Sequence, residues 1–180
     1  MAFTEEIIFA GFGGQGVLSM GMMVAYASMM KELNVSWLPS YGPEMRGGTA
    51  NCNVIASDSL VGSPVVAEAD TLVAMNRPSL DKFEDWVKPG GMILVNSSLI
   101  DIKVKRDDVK TFYYPVNNVA AECGNLKAAN MVMLGAYIGH KNYLSQEDLL
   151  DAFLKVFGED KRKLLPLNQT AIKRGLELLS

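Results

Sequence analysis

The hexapeptide Gly11-Phe12-Gly13-Gly14-Gln15-Gly16 constrains this chain more than any other segment. It follows the apolar run Ile7-Ile8-Phe9-Ala10 and precedes a long apolar stretch that begins at Val17. An unbroken run of branched and aromatic residues reads as a strand buried on both faces, and the stretch after the glycines predicts a helix over Val17 to Leu33. Glycines at such a junction permit positive backbone angles and leave backbone N–H groups open to an anion. The pattern therefore admits two readings: a turn that cradles phosphate, or a turn whose glycines only allow close strand-to-helix packing. Gln15 leans toward the first, because its amide can both donate to and accept from a lodged group. A dinucleotide site would also need an acid about 20 residues on to hold a ribose hydroxyl. That region reads Val35-Ser36-Trp37-Leu38-Pro39-Ser40 and carries no carboxylate.

Further strands are predicted at Val35–Leu38, Thr49–Ala56, Thr71–Met75, Met92–Val95 and Lys110–Tyr114, all short and rich in branched or aromatic residues. Helical patterns cover Pro78 to Val87, closed by Lys88-Pro89-Gly90-Gly91, and then Asn125 to Gly139, Ser145 to Phe157 and Asp160 to Leu179. Ser145 and Asp148 have the spacing of a capping box. Strands alternating with helices predict an α/β fold: one domain over residues 1–180, with a mostly parallel, possibly mixed sheet flanked by helices. The Thr49 strand follows its predecessor without a helix, which is why a mixed sheet is admitted. In the first helix, positions 22, 23, 26, 29 and 30 approximate one face, so Tyr26 and those methionines are expected on the sheet and Met20 at a subunit contact.

A net charge of -3 and the lack of a long Lys/Arg block give no footprint for nucleic acid. The richest apolar stretch, Val17 to Met30, is broken by polar and small residues and falls short of the ~20 residues of a membrane span. No basic leader precedes the first strand, and a cytoplasmic location is expected. Cys52 and Cys123 lie 71 positions apart and His140 is the single histidine, so no zinc or iron–sulfur ligand spacing occurs. Two reduced thiols are expected. His140, after Gly139 at a helix end, reads as a solvated or C-capping residue. Asp101 to Lys110 reads as a solvated loop, and Lys161-Arg162-Lys163 as a small surface cluster.

A second loop, Tyr41-Gly42-Pro43-Glu44-Met45-Arg46-Gly47-Gly48, joins an aromatic, a rigid turn, two opposite charges and adjacent glycines. Arg46 beside Gly47 and Gly48 can present its fork to a phosphate or carboxylate, or can hold the loop together through Glu44. Taken with the first loop, the run from Ser40 to Cys52, Ser-Tyr-Gly-Pro-Glu-Met-Arg-Gly-Gly-Thr-Ala-Asn-Cys, strongly resembles the gamma subunit of 2-oxoacid:ferredoxin oxidoreductases. The resemblance extends from about Ile7 to Gly139 and includes Ala74-Met75-Asn76, Lys88-Pro89-Gly90-Gly91 and Asn130 to Ala136.

What the resemblance implies is a non-autonomous subunit of an enzyme complex with alpha-, beta- and delta-type subunits, which passes electrons to ferredoxin. Such a complex uses thiamine diphosphate, Mg²⁺, iron–sulfur clusters and coenzyme A, with none of these expected on this chain alone and no catalytic residue assigned to it. Gly11, Gly13, Gly14, Gln15 and Gly16, with Tyr41, Glu44, Arg46, Gly47 and Gly48, are the candidate cofactor-facing residues. Glu-Met-Arg-Gly-Gly is similar to the 2-oxoglutarate and branched-chain types more than to the pyruvate type, and 2-oxoglutarate is the favoured substrate. An independent nucleotide-binding protein and a purely structural subunit are the competing expectations.

Overall fold

Alternation along the strands decides which side chains meet which helix layer. The computed structural model describes residues 3–40 and 49–180, and within them β1 (Thr4–Phe12), β2 (Asn34–Ser40), β3 (Thr49–Ser57), β4 (Ala69–Ala74), β5 (Val87–Asn96) and β6 (Lys110–Tyr114) form one sheet. Its order is β2-β3-β1-β4-β5-β6. β1, β4, β5 and β6 run parallel, whereas β3 is antiparallel to both β1 and β2. The sheet is thus mixed, as the short β2–β3 connection allows.

Ile7 and Phe9 of β1, Val73 of β4 and Leu94 of β5 face one core; Ile8, Ala10, Leu72, Ala74, Ile93 and Val95 face the other. Period-two side chains on strands covered on both faces produce the continuous apolar runs seen in the sequence. The first core is closed by α1 (Val17–Met30), α3 (Val116–Glu122), α4 (Ala129–Lys141), α5 (Gln146–Phe157) and α6 (Leu165–Glu177). The second is closed by α2 (Arg77–Phe83), through Leu80 and Phe83, and by Val66 and Ile100 from connecting segments.

Several elements depart from the expected pattern. The helix expected over Pro78 to Val87 stops at Phe83, a 3-10 turn covers Glu84–Trp86, and Lys88-Pro89-Gly90-Gly91 belongs to β5. Val87 pairs with Ala69 and Met92 with Thr71, so residues 88–91 bulge opposite Asp70. The bulge is held by Lys88 Nζ, 2.5 Å from Glu6 and 3.1 Å from Asp70. A β-carbon on Gly91 would lie 2.8 Å from the Lys88 carbonyl oxygen, so the glycines serve the bulge rather than a helix end. α3 has no counterpart among the expected helices, because its seven residues are too few for periodicity to register. The helix expected from Asn125 begins at Ala129, after a 3-10 turn over Leu126–Ala128, and the one expected from Asp160 begins at Leu165, after another over Glu159–Leu164. The capping box forms at α5: Asp148 N donates to Ser145 Oγ at 3.1 Å and Ser145 N to Asp148 Oδ2 at 2.8 Å.

The face of α1 is a correction. Met20, Met23, Val24 and Ala27 are buried, while Tyr26, Met29 and Met30 are 38%, 56% and 41% exposed. α1 is apolar around most of its circumference, so periodicity does not select an arc. Packing selects it: a β-carbon on Gly21 would collide with Cys52 Sγ, so Gly21 lets the helix settle on β3, and α5 covers another side. Met20 is therefore a core residue. Cys52 and Cys123 are free thiols, and burial pushes Cys52 up to about 12.

The α4–α6 crossing is set by glycine on both sides. A β-carbon on Gly135 would strike the Ile172 carbonyl oxygen, and one on Gly175 the Val132 carbonyl oxygen. The two backbones meet with no side chain between them.

Candidate functional site

The carboxyl ends of the parallel strands carry the candidate site, where open α/β sheets collect ligands. β1 ends at Phe12 and the chain turns through Gly13, Gly14, Gln15 and Gly16 into α1. Gly14 and Gly16 have φ of 93° and 74°, the left-handed region that a side chain disfavours. Gly11 has no room for one: its β-carbon would lie 2.7 Å from Gln15 Oε1 and 2.9 Å from Met75 Cβ.

Gln15 is turned back into the protein. Its Oε1 accepts from Phe12 N at 2.6 Å and from Asn76 Nδ2 at 3.4 Å, and its Nε2 donates to the Met75 carbonyl at 3.1 Å. The amide thus ties the glycine turn to the end of β4, and one N–H of Nε2 is left over. The network continues sideways: Asn96 Nδ2 donates to the same Met75 carbonyl at 3.2 Å and to Asn117 Oδ1 at 2.8 Å. Asn76 caps α2 by accepting from Ser79 N at 2.9 Å. One strand-end carbonyl therefore gathers side chains from the glycine turn and from β5, with α3 joined through Asn117. Only Gln15 was singled out from sequence; Asn76 stood within a resemblance motif, and Asn96 and Asn117 carried no signal, because what joins them is strand order.

Two cavities flank the turn, one of about 270 Å³ beside Phe12, Leu18 and Ser19, and one of about 160 Å³ beside Gln15, Asn117 and Asn130. Tyr41, Glu44, Arg46, Gly47 and Gly48 lie outside the described residues. The residues that bracket them are at this same end, since Thr49 pairs with Phe12 and Ser40 with Asn51.

A larger cavity of about 420 Å³ opens at the opposite end of the sheet, under the β5 bulge. Its charges are largely matched internally: Lys141 with Glu5 at 2.8 Å, Lys88 with Asp70 at 3.1 Å. His140 stands on its wall, not in solvent, with Nε2 2.7 Å from the Tyr114 hydroxyl and the ring 4.0 Å from Phe112. Burial, then the Lys141 ammonium, push its pKa below the usual imidazole value. The residue that ends α4 in a left-handed conformation is Asn142, φ 57°. Arg106, expected in a solvated loop, donates to the carbonyl oxygens of Glu84 and Val87 and forks onto Asp108. Among the described residues no three His, Cys, Asp or Glu side chains converge as a metal site, and no helix is long and apolar enough to cross a membrane.

A mixed six-stranded sheet flanked by helices, with a glycine turn and an amide network at the carboxyl ends of its parallel strands, defines a single α/β domain. The chain belongs to the pyruvate ferredoxin/flavodoxin oxidoreductase family, whose profile matches residues 6–178. It is 40% identical over 173 residues to the ketoisovalerate oxidoreductase subunit VorA of Methanothermobacter marburgensis, covering 96% of this chain and 36% of that protein. It is 34% identical to the 2-oxoglutarate synthase subunit KorC of Methanocaldococcus jannaschii, covering 97% and 93%. The crystal structure of the gamma subunit of a keto/oxoacid ferredoxin oxidoreductase from Geobacter sulfurreducens superposes with a TM-score of 0.82 at 31% identity, covering 97% of each chain. The chain thus spans about a third of the VorA relative and nearly the whole of the other two. The gamma-subunit resemblance read from the two loop motifs is upheld.

Proposed function

We propose that this chain is the gamma-type subunit of a complex that oxidatively decarboxylates a 2-oxoacid, transfers the acyl group to coenzyme A and reduces ferredoxin. In that reaction the 2-oxoacid loses carbon dioxide, the thiol of coenzyme A takes the acyl group with loss of its proton, and the released electron pair goes to ferredoxin. The observation that carries the reading is the family match over residues 6–178 together with an open glycine turn at the ligand end of the sheet. Thiamine diphosphate, Mg²⁺ and the iron–sulfur clusters are assigned to alpha-, beta- and delta-type partners.

The chain's own contribution is positioning. Gly11, Gly13, Gly14, Gln15 and Gly16 supply a narrow turn with backbone N–H groups, and the motif residues Tyr41, Glu44, Arg46, Gly47 and Gly48 supply a cation and further glycines. Together they are the coenzyme A-facing wall of the complex, where orientation of the acceptor thiol, rather than chemistry on this chain, serves the rate. The substrate reading is 2-oxoglutarate, supported by the Glu-Met-Arg-Gly-Gly motif and the KorC match over nearly full length of both chains. A branched-chain 2-oxoacid is the second reading, favoured by the higher identity to VorA.

Purification of the chain at native level with whatever accompanies it, followed by assay with coenzyme A, ferredoxin and each of 2-oxoglutarate, 3-methyl-2-oxobutanoate and pyruvate, tests this. Co-purifying thiamine-binding and cluster-binding subunits with preferential turnover of 2-oxoglutarate is the expected result. Preference for the branched acid selects the second reading. A chain recovered alone with a bound nucleotide overturns both.

A further inference from the structure

The 420 Å³ cavity at the amino ends of the parallel strands lies at the far end of the sheet from the glycine turn, and the function proposed above makes no use of it. The β5 bulge forms one side: residues 88–91 stand opposite the single residue Asp70, and Gly90 N donates to the Asp108 carbonyl at 2.7 Å before the strand rejoins the ladder at Met92. Bulges of this kind re-aim side chains and are frequent beside binding sites. Here the bulge brings Lys88 to the same opening as Lys110 from β6 and Lys141 from the end of α4.

Hydrogen-bond accounting gives the cavity a sign. Its two carboxylates are taken: both Glu5 oxygens accept from Lys141, and one also from the Thr71 hydroxyl at 2.6 Å, while Asp70 accepts from Lys88 at 3.1 Å and from Glu6 N at 2.9 Å. An ammonium carries three N–H groups and no acceptor. Lys88 directs two of its three at Glu6 and Asp70, Lys141 turns to the Glu5 oxygens, and Lys110 enters no ion pair among the described residues. The capacity left over is donor capacity, which an anion takes up. Another part of the lining is flat and uncharged: the rings of Phe112 and His140 lie 4.0 Å apart, and burial, then Lys141, hold the imidazole pKa below its usual value. Pro89 and Met92 add apolar surface. We propose that this cavity is a second ligand site, for a small organic anion whose carboxylate or phosphate sits among Lys88, Lys110 and Lys141 and whose flat body lies against Phe112 and His140. The volume is that of a small-molecule pocket. The site is separate from the coenzyme A-facing wall and does not depend on that reading.

His140 is the single histidine of the chain, so its ring signals in a proton NMR spectrum report on this cavity. The test titrates the full chain with benzoate, phenyl phosphate, benzamide and acetate. Saturable movement of the His140 signals is expected with benzoate or phenyl phosphate, and the tighter of the two fixes whether the charged group is a carboxylate or a phosphate. Benzamide has the flat body without the charge, and acetate the charge without the body; both are expected to bind at least about tenfold more weakly. Lys110 is exposed, so Lys110→Ala leaves the fold intact; it is expected to weaken binding about tenfold, and Lys110→Glu further. Lys161→Ala, on the turn before α6, is expected to bind as the parent does. Unmoved His140 signals, equal binding of benzamide and benzoate, or equal binding to parent and Lys110→Ala would each overturn the site. So would an assembled complex that takes up labelled benzoate equally with Lys110 and with Lys110→Ala, a result that gives the cavity to an acidic side chain of a partner subunit.

Discussion

Asn130 occupies the space that a β-carbon on Gly16 would need: the two positions would be 2.5 Å apart, although 114 residues separate them in the chain. The contact joins the first turn of α4 to the last residue of the glycine turn, where φ is 74°. Gly16→Ala therefore meets two penalties, a left-handed conformation and a collision with a buried amide. Stability is expected to fall by about 2–3 kcal/mol, with Asn130 displaced from its place beside the glycine turn. Urea denaturation of parent and variant measures the first, and an unchanged midpoint would sink it.

Gly135 and Gly175 present a second close approach, backbone against backbone. Either alanine variant forces α4 and α6 apart and is expected to cost about 3 kcal/mol, at the upper end of overpacking effects because no side chain can move aside. Gly14→Ala is a useful comparison: φ is 93° but open space surrounds it, so backbone strain of about 1 kcal/mol is the expected loss. Equal losses at Gly14 and Gly135 would refute the packing argument.

Glu5 gives the stability a pH dependence of known sign. Burial raises its pKa above the ordinary 4.5, against the pull of the Lys141 ammonium at 2.8 Å and the Thr71 hydroxyl at 2.6 Å. A folded chain that holds this proton more tightly than the unfolded one gains stability that is fully present below the ordinary value and is lost as pH rises through the raised one. Glu5→Gln keeps an oxygen for Thr71 and does not titrate. Denaturation midpoints taken between about pH 4 and pH 8 are expected to show a smaller decline with rising pH in the variant than in the parent. Parallel curves would show that Glu5 does not set the slope.

Arg46→Ala, in the assembled complex, separates a binding loop from a scaffold. If the guanidinium faces a phosphate or carboxylate, turnover is expected to fall about tenfold or more with the subunits still co-purifying, and Arg46→Lys to restore only part of it, since the ammonium lacks the fork. Steady-state rates with coenzyme A varied provide the readout. Unchanged turnover leaves the chain a structural subunit.

The amino-acid sequence alone determined that the fold is α/β, that Gly11 to Gly16 turns a buried strand into a helix, and that Ser145 starts α5. These are local matters: apolar runs, breaker residues and a four-residue cap encode them within a few positions. It also carried enough motif to place the chain in its family. Tertiary structure decided the rest. The arc of α1 that is buried depends on Gly21 meeting β3, the role of Lys88-Pro89-Gly90-Gly91 on the Asp70 partner across the sheet, and the setting of His140 on Tyr114 and Phe112. The amides of Gln15, Asn76, Asn96, Asn117 and Asn130 come together only because strand order sets β1, β4 and β5 side by side and α4 folds back across their ends. A polar side chain bears no mark in sequence of where its partner will stand, because hydrogen bonds form over angstroms of space and are indifferent to the length of chain between donor and acceptor.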